Sequence, residues 1–366
     1  MNIKIDKTKI GDFNIEAAKG LCNEALDTIW KEEWITRSVT KADKETLKRT
    51  DAIADIIRKK NKKVVFVAGG ETGVILRAVK DMHPSEEDGM DILFMGDSLS
   101  PSEYAEVINC LNDEEFVIVA VTGREDDLAV RGAYATLKQM LISRFGIERA
   151  TENIFVLYKD KENSIAAEAS QNDYETIYYS ENIDDVYAAG TEAVLLLISL
   201  IGGDAEKYLD GFRDMISSPL WDLDGADYSI MRGLALKEGY TDEKIVFMQS
   251  QLRGLGKWIE EFNYGLDVRT LELPAGRKKI CKKDIVTYIS VERDEEDIMM
   301  PYFEGCHGDG SLNLMINEEG NKFFFEENEK NPGVKISLEW LDSYNLGQLT
   351  AFIQLSNAIT EYFYNN

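Results

Sequence analysis

The chain has 366 residues, with 67 Asp and Glu against 41 Lys and Arg, so it carries a formal charge of −26 and a pI near 4.5. Its 44% hydrophobic, 10% aromatic and 30% charged residues describe a globular protein rather than a disordered or fibrous one. So large an acidic surplus repels phosphate backbones and anionic lipid, which excludes nucleic acid and membrane surfaces as partners.

At ~100–200 residues per domain, this length predicts two domains, or one plus extensions. Met1–Asp12 is polar and lacks the apolar core and cleavage motif of an export signal. The longest apolar stretch, Ala193–Ile201, falls short of the ~20 residues that span a bilayer. Cys22, Cys110, Cys281 and Cys306 show no CxxC pairing, and His83 and His307 are the only histidines. Neither a zinc site nor a disulfide scaffold follows, no metal or cofactor is expected, and a reducing cytoplasm is the expected home.

The first fifty residues read as helices, Ile15–Trp30 and then a highly charged stretch from Thr40 to Lys60. After Lys63 the pattern changes. Val64–Val67 is a short β-branched and aromatic run that ends in Ala68-Gly69-Gly70, and a helix over Val74–Asp81 follows. Asp91–Met95 is a second strand, and Ser100-Pro101 opens a helix, with Ser as N-cap and Pro in the first turn. Phe116–Val121 is a third strand and Asp126–Arg144 a long helix. Ile154–Tyr158 and Thr176–Tyr179 supply two more strands around a helix near Ser164–Ser170. Val186–Ile201 is apolar nearly all round and reads as one helix buried between layers.

A second alternating unit starts near residue 205. Ala226–Lys237 is helical, Lys244–Met248 a strand and Ser250–Phe262 a helix. Asp284–Val291 and Val334–Leu338 are strands, and Tyr344–Tyr364 carries apolar residues at helical spacing. Strands alternating with helices imply parallel sheets covered on both faces. The expected organisation is an N-terminal helical segment over 1–50, one α/β domain over 51–205, a second over 206–345 and a C-terminal helix over 346–366.

Ligands of open parallel sheets sit at the carboxyl ends of the strands, where the strand order reverses. Three loops therefore hold the candidate binding residues: Gly69, Gly70, Glu71 and Thr72 in the first, Asp97 in the second, and Thr122, Gly123, Arg124, Asp126 and Asp127 in the third. A glycine-rich turn running into a helix can cradle an anion on backbone N–H groups. Glu71 opposes that role by placing a carboxylate where the anion would sit, and a tight βα turn explains the glycines equally well. One arginine among carboxylates in the third loop is also ordinary helix-capping chemistry.

The order of these segments resembles the glucose-6-phosphate isomerases, which contain two sugar-isomerase (SIS) domains. Val65–Glu71 is similar to the family's V-x-G-I-G-G-S strand and turn, and Gly96–Pro101 occupies the place of its second strand-end loop. Tyr187 and Val194–Gly203 sit where the family has G-G-R-[FY]-S and a buried V-G-L-L-P helix. Tyr228–Arg232 resembles Y-A-A-V-R, and Lys244–Gln249, Leu252 and Trp258 resemble the segments that lead to the catalytic glutamate. Gly333–Leu338 and Leu346–Leu349 resemble the last strand and the L-G-x-L helix. The resemblance implies an α/β fold of two SIS-type domains, each a parallel sheet flanked by helices, a homodimer, and a sugar phosphate or other small molecule as ligand.

The chemical positions depart from that pattern. Isomerisation through an enediol needs a carboxylate base near C1 and C2 and a cation beside the developing oxyanion. The family's glutamate falls on Gly265, its closing lysine on Arg269, and the arginine of G-G-R on Val186 behind Asp184-Asp185. Its phosphate loop falls on Thr122–Asp127 with only the leading hydroxyl kept. The histidine stretch is compressed out, His307 lies some thirty residues beyond Gly276, and the sequence ends before the segment carrying the family's lysine.

Three readings follow. The first is a regulatory or carbohydrate-derivative-binding relative without the family's catalytic residues. The second is an aldose–ketose isomerase with a rearranged site, for which Glu261 or Glu260 is the candidate base, Arg253, Lys257 or Arg269 the cation, and His307 the histidine. The third is a divalent or organic cation held by Glu71, Asp97, Asp126 and Asp127.

Overall fold

A computed structural model gives the structure and describes residues 3–39, 43–60, 63–83, 89–123, 126–179, 182–218, 221, 224–266, 269–274, 281, 283–293, 297–301, 310–327 and 331–366. Two compact units are present, one of Arg37–Glu206 and one of Met1–Thr36 with Lys207–Asn366.

The chain enters through β1 (Ile3–Asp6), α1 (Ile15–Ile29) and α2 (Glu33–Val39). The unit of Arg37–Glu206 then runs α3 (Asp43–Lys60), β2 (Lys63–Val67), α4 (Gly70–Met82), β3 (Asp91–Met95) and α5 (Pro101–Leu111). It continues with β4 (Val117–Thr122), α6 (Leu128–Phe145), α7 (Ile147–Glu152), β5 (Ile154–Tyr158), α8 (Ser164–Gln171) and β6 (Glu175–Tyr178). A 3₁₀ turn, Asp185–Gly190, leads to α9 (Glu192–Leu200).

Its five strands pair in parallel in the order β3-β2-β4-β5-β6. Val64–Val67 and Val117–Thr122 are buried on both faces, as a parallel sheet covered by helices requires. On one face Val65, Val67, Ile118 and Ala120 pack with Leu137 and Leu141 of α6. The chain goes outward from β2 to β3 and then returns to β4 on the other side of β2, so the strand order reverses between β2 and β4.

The second unit adds α10 (Ala205–Ile216), α11 (Asp224–Lys237), β7 (Asp242–Phe247), α12 (Arg253–Tyr264), β8 (Arg269–Pro274) and β9 (Asp284–Val291). α13 (Leu312–Lys322), β10 (Gly333–Leu338) and α14 (Ser343–Asn365) complete it. Its sheet order is β1-β10-β9-β7-β8, with β7 to β10 parallel and β1 antiparallel against β10. No helix among the described residues is long and apolar enough to cross a membrane.

Three expectations are corrected. Residues 1–50 are not a separate helical segment, because β1 belongs to the second sheet, with Ile3 opposite Leu338 and Ile5 opposite Ile336. Its alternation of apolar and charged residues lasts four positions, too few to be seen beside longer helical runs, and its partner strand lies at the far end of the chain. Val186–Ile201 is not one helix. Thr191 adopts an extended backbone and its hydroxyl donates to the Ala188 carbonyl at 2.7 Å, closing the 3₁₀ turn before α9 begins. Ser250–Leu252 is likewise a 3₁₀ turn ahead of α12. The strand β8 and the helix α13 were not expected at all.

The second unit is held by a buried polar network. Arg232 on α11 and Glu243 on β7 are each 1% exposed and form an ion pair at 2.8 Å. The guanidinium also donates to Asn263, Asn357 and Thr360, and the other carboxylate oxygen accepts from Thr287 at 2.8 Å. Every element touched by these side chains is fixed in register with the others. Breaking such a pair from one side strands a charge in a low-dielectric interior. Glu243→Gln is therefore expected to lower unfolding stability by about 3–5 kcal/mol, and Glu243→Gln with Arg232→Met to cost less than the two single losses added together; urea denaturation measures both.

Candidate functional site

The reversal between β2 and β4 opens a cavity of about 400 Å³ in the Arg37–Glu206 unit. Gly69, Gly70, Glu71 and Thr72 line it from the end of β2, and Val121, Gly123 and Asp127 from the end of β4. Lys159 enters from the end of β5, and Ile183, Asp184 and Asp185 from the segment after β6.

The glycine turn is made by packing and backbone geometry. A Cβ on Gly69 would stand 2.6 Å from the Gly96 carbonyl oxygen, so the turns ending β2 and β3 close only over a glycine. Gly70 has φ +57°, the left-handed region that a side chain disfavours. α4 starts there with Glu71 in its first turn, where a carboxylate suits the partial positive charge of the helix end.

The third loop also spends its carboxylates on helix ends. Asp127 caps α6, accepting from the Ala129 and Val130 amides at 2.6 and 3.1 Å. Asp126 turns away from the cavity lining and accepts from the amide and hydroxyl of Ser164 at the start of α8, both at 2.9 Å. Asp97 does not reach this cavity either. It pairs with Arg77 at 2.7 Å in a different cavity beside β3. Thr122 is buried, with its hydroxyl 3.4 Å from the Leu157 carbonyl. Arg124 lies outside the described residues, as does His307.

Lys159 is the cation that the strand-end argument passed over. It is 3% exposed, and its ammonium donates to Asp185 and to the Ile183 carbonyl and lies 5.3 Å from the centre of the Tyr179 ring. It is the first residue beyond β5, the next strand past the reversal, so inspecting that strand end as well would have found it. Beneath it, the Tyr179 hydroxyl donates to the Thr122 carbonyl at 3.1 Å. Full burial, with the charges of Asp185 and Glu192 nearby, holds that hydroxyl well above its usual pKa, so it stays a donor.

Among the described residues, the cavity therefore presents four carboxylates, Glu71, Asp127, Asp184 and Asp185, against one ammonium already paired with one of them. Among the same residues, no group of three or more His, Cys, Asp or Glu is arranged to hold a metal ion. The four acids considered for a cation do not converge, since Asp97 and Asp126 are held elsewhere.

The residues considered for isomerase chemistry lie in the other unit. Glu261 is half-buried on α12, where Arg253, Lys257 and Glu260 form an exposed face. Arg269 is the first residue of β8 and pairs with Asp242, the first residue of β7, at 2.6 Å. That is the amino edge of a parallel sheet, opposite the strand ends where ligands bind.

Two α/β units, each a largely parallel sheet flanked by helices, define an SIS-type fold of the phosphosugar-isomerase class. The glucose-6-phosphate isomerase of Pediococcus pentosaceus is 25% identical over 365 residues, covering 87% of this chain and 79% of its own. A hypothetical protein of Thermus thermophilus superposes with TM-score 0.84 at 16% identity, over 99% of this chain and 94% of the other. A glucose-6-phosphate isomerase of Chlamydia trachomatis gives TM-score 0.80 at 13% identity, over 99% and 84%. No family model matches the chain. In sequence and in fold the chain is similar to glucose-6-phosphate isomerases.

Two measurements test the local assignments. Asp127→Ala should lose about 1 kcal/mol of stability with the N-cap, whereas Asp127→Asn, which can still cap, should lose a few tenths at most; urea unfolding separates them. The Arg269 guanidinium, with Lys244 adding to it, holds the Asp242 carboxyl below its ordinary value of 3.8. That stabilisation is present above the ordinary value and is lost as pH falls through the lowered one. The gap in unfolding free energy between wild type and Arg269→Ala should therefore be full at neutral pH and close in strong acid.

Proposed function

We propose that this chain is a carbohydrate-derivative-binding SIS protein, regulatory rather than catalytic, whose ligand carries no phosphate. The observation that carries the reading is the charge of the cavity between β2 and β4: Glu71, Asp127, Asp184 and Asp185 line it, and the Lys159 ammonium is neutralised by Asp185. Like charges at 4 Å repel by ~1 kcal/mol in water and ~4 kcal/mol at an effective dielectric of 20. A dianion brought among these carboxylates would meet several such terms, more than a few backbone N–H groups return.

A hydroxyl-rich neutral ligand meets no such penalty, because carboxylates accept hydrogen bonds from sugar hydroxyls. Glu71 lines the cavity from the end of β2 and Asp184 from the segment after β6, and both are suited to that role. The resemblance to the glucose-6-phosphate isomerases further supports a homodimer, which light scattering would register at twice the 41.4 kDa chain mass.

The deciding experiment pairs a coupled assay of fructose 6-phosphate turnover with thermal unfolding in the presence of hexoses, aminohexoses and hexose phosphates. The expected outcome is turnover indistinguishable from the blank, and a rise in midpoint with an unphosphorylated sugar alone. Turnover that vanishes in Glu261→Gln would instead establish an isomerase with a rearranged site.

A further inference from the structure

The Lys159–Asp185 pair has a place and a shape that the charge count alone does not explain. The Lys159 side chain is 2% exposed, whereas the Asp185 side chain is 33% exposed and faces the cavity. One carboxylate oxygen of Asp185 accepts from the ammonium. The other lies 3.3 Å from the point where a Cβ on Gly123 would stand, tighter than an ordinary contact, so the carboxylate closes over the bare backbone of the turn that ends β4. An acidic oxygen is thus seated between a buried cation and a glycine turn at the carboxyl end of a parallel strand, which is where such sheets hold a ligand's anionic group.

We propose that the Asp185 carboxylate is a built-in occupant of the cavity's anion position, and that it sets specificity by excluding phosphorylated ligands from a seat that keeps its buried ammonium and glycine turn. The inference rests on the reading of the cavity as a site for unphosphorylated ligands and names the residue responsible. A buried ammonium needs a counter-charge. Without Asp185, Lys159 would keep the Ile183 carbonyl and lose its anion, leaving a cation, a glycine turn and room for an external oxyanion. Glu71, Asp127 and Asp184 remain nearby in either case, so the seat regained is one of moderate affinity.

The test uses the full chain as wild type, Asp185→Ala, Asp185→Asn and the double variant Asp185→Ala with Lys159→Met. Inorganic phosphate is the probe, with sodium chloride at equal ionic strength as control, read by thermal unfolding and titration calorimetry. Wild type should not respond. Asp185→Ala should melt several degrees lower, recover in phosphate but not in chloride, and bind phosphate at least about tenfold more tightly than wild type. The double variant should lose the response. Asp185→Asn keeps the side-chain volume and supplies the same readout should the alanine variant fail to fold.

A folded Asp185→Asn or Asp185→Ala that binds phosphate no better than wild type overturns the proposal, as does a response that survives in the double variant. Glucose 6-phosphate added to the same samples separates the two levels of argument. Binding of it by wild type sinks the reading of the cavity itself; silence in wild type and in every Asp185 variant sinks the role of Asp185 alone.

Discussion

A parallel strand buried on both faces has nowhere along its length to put a polar side chain, and this constraint arranges everything else in the Arg37–Glu206 unit. β2 and β4 are apolar nearly from end to end, so hydrogen-bonding and charged groups collect where the strands stop. The order β3-β2-β4-β5-β6 then decides which stopping points face a common space. The result is a cavity built from turns whose backbone geometry is fixed by packing, as at Gly69, and whose chemistry is free to vary through single side chains such as Glu71 and Asp185.

In this chain that freedom has been used in one direction. Helix N-termini and glycine turns are attractive to anions whatever their source. Asp127 satisfies the start of α6, Asp126 the start of α8, and Glu71 stands in the first turn of α4. Each of these attractions for an external phosphate is met by a carboxylate of the chain. The strand-end turns keep their backbone geometry while carboxylates of the chain occupy the helix starts beside them.

The sequence carried the architecture well where its pattern is long or strongly β-branched. The strands from β2 to β6, the buried α9 and the closing helix are written in runs such as Val64–Val67 and Leu195–Ile198, which suit no other environment. β1 escaped notice because four alternating residues carry little signal without a partner, and β8 because its hydrogen bonds come from β7 rather than from its own pattern. The candidate site was half legible. Position at a strand end pointed to Glu71 and Gly123, but the same rule also named Asp97 and Asp126, whose partners Arg77 and Ser164 are a matter of tertiary geometry. Lys159 sits in a run of charged residues that reads as surface, and its burial arises only because the segment after β6 folds back over it.

The pairing of Ile3 with Leu338 sets an order of events during synthesis. All five strands of the Arg37–Glu206 sheet have been made once Tyr178 is added, so that unit can assemble while the ribosome is still translating. The other sheet cannot close until β10 has emerged, and β1 lacks its partner strand through that interval. A chaperone that engages β1 would thus delay the later sheet and leave the earlier one untouched.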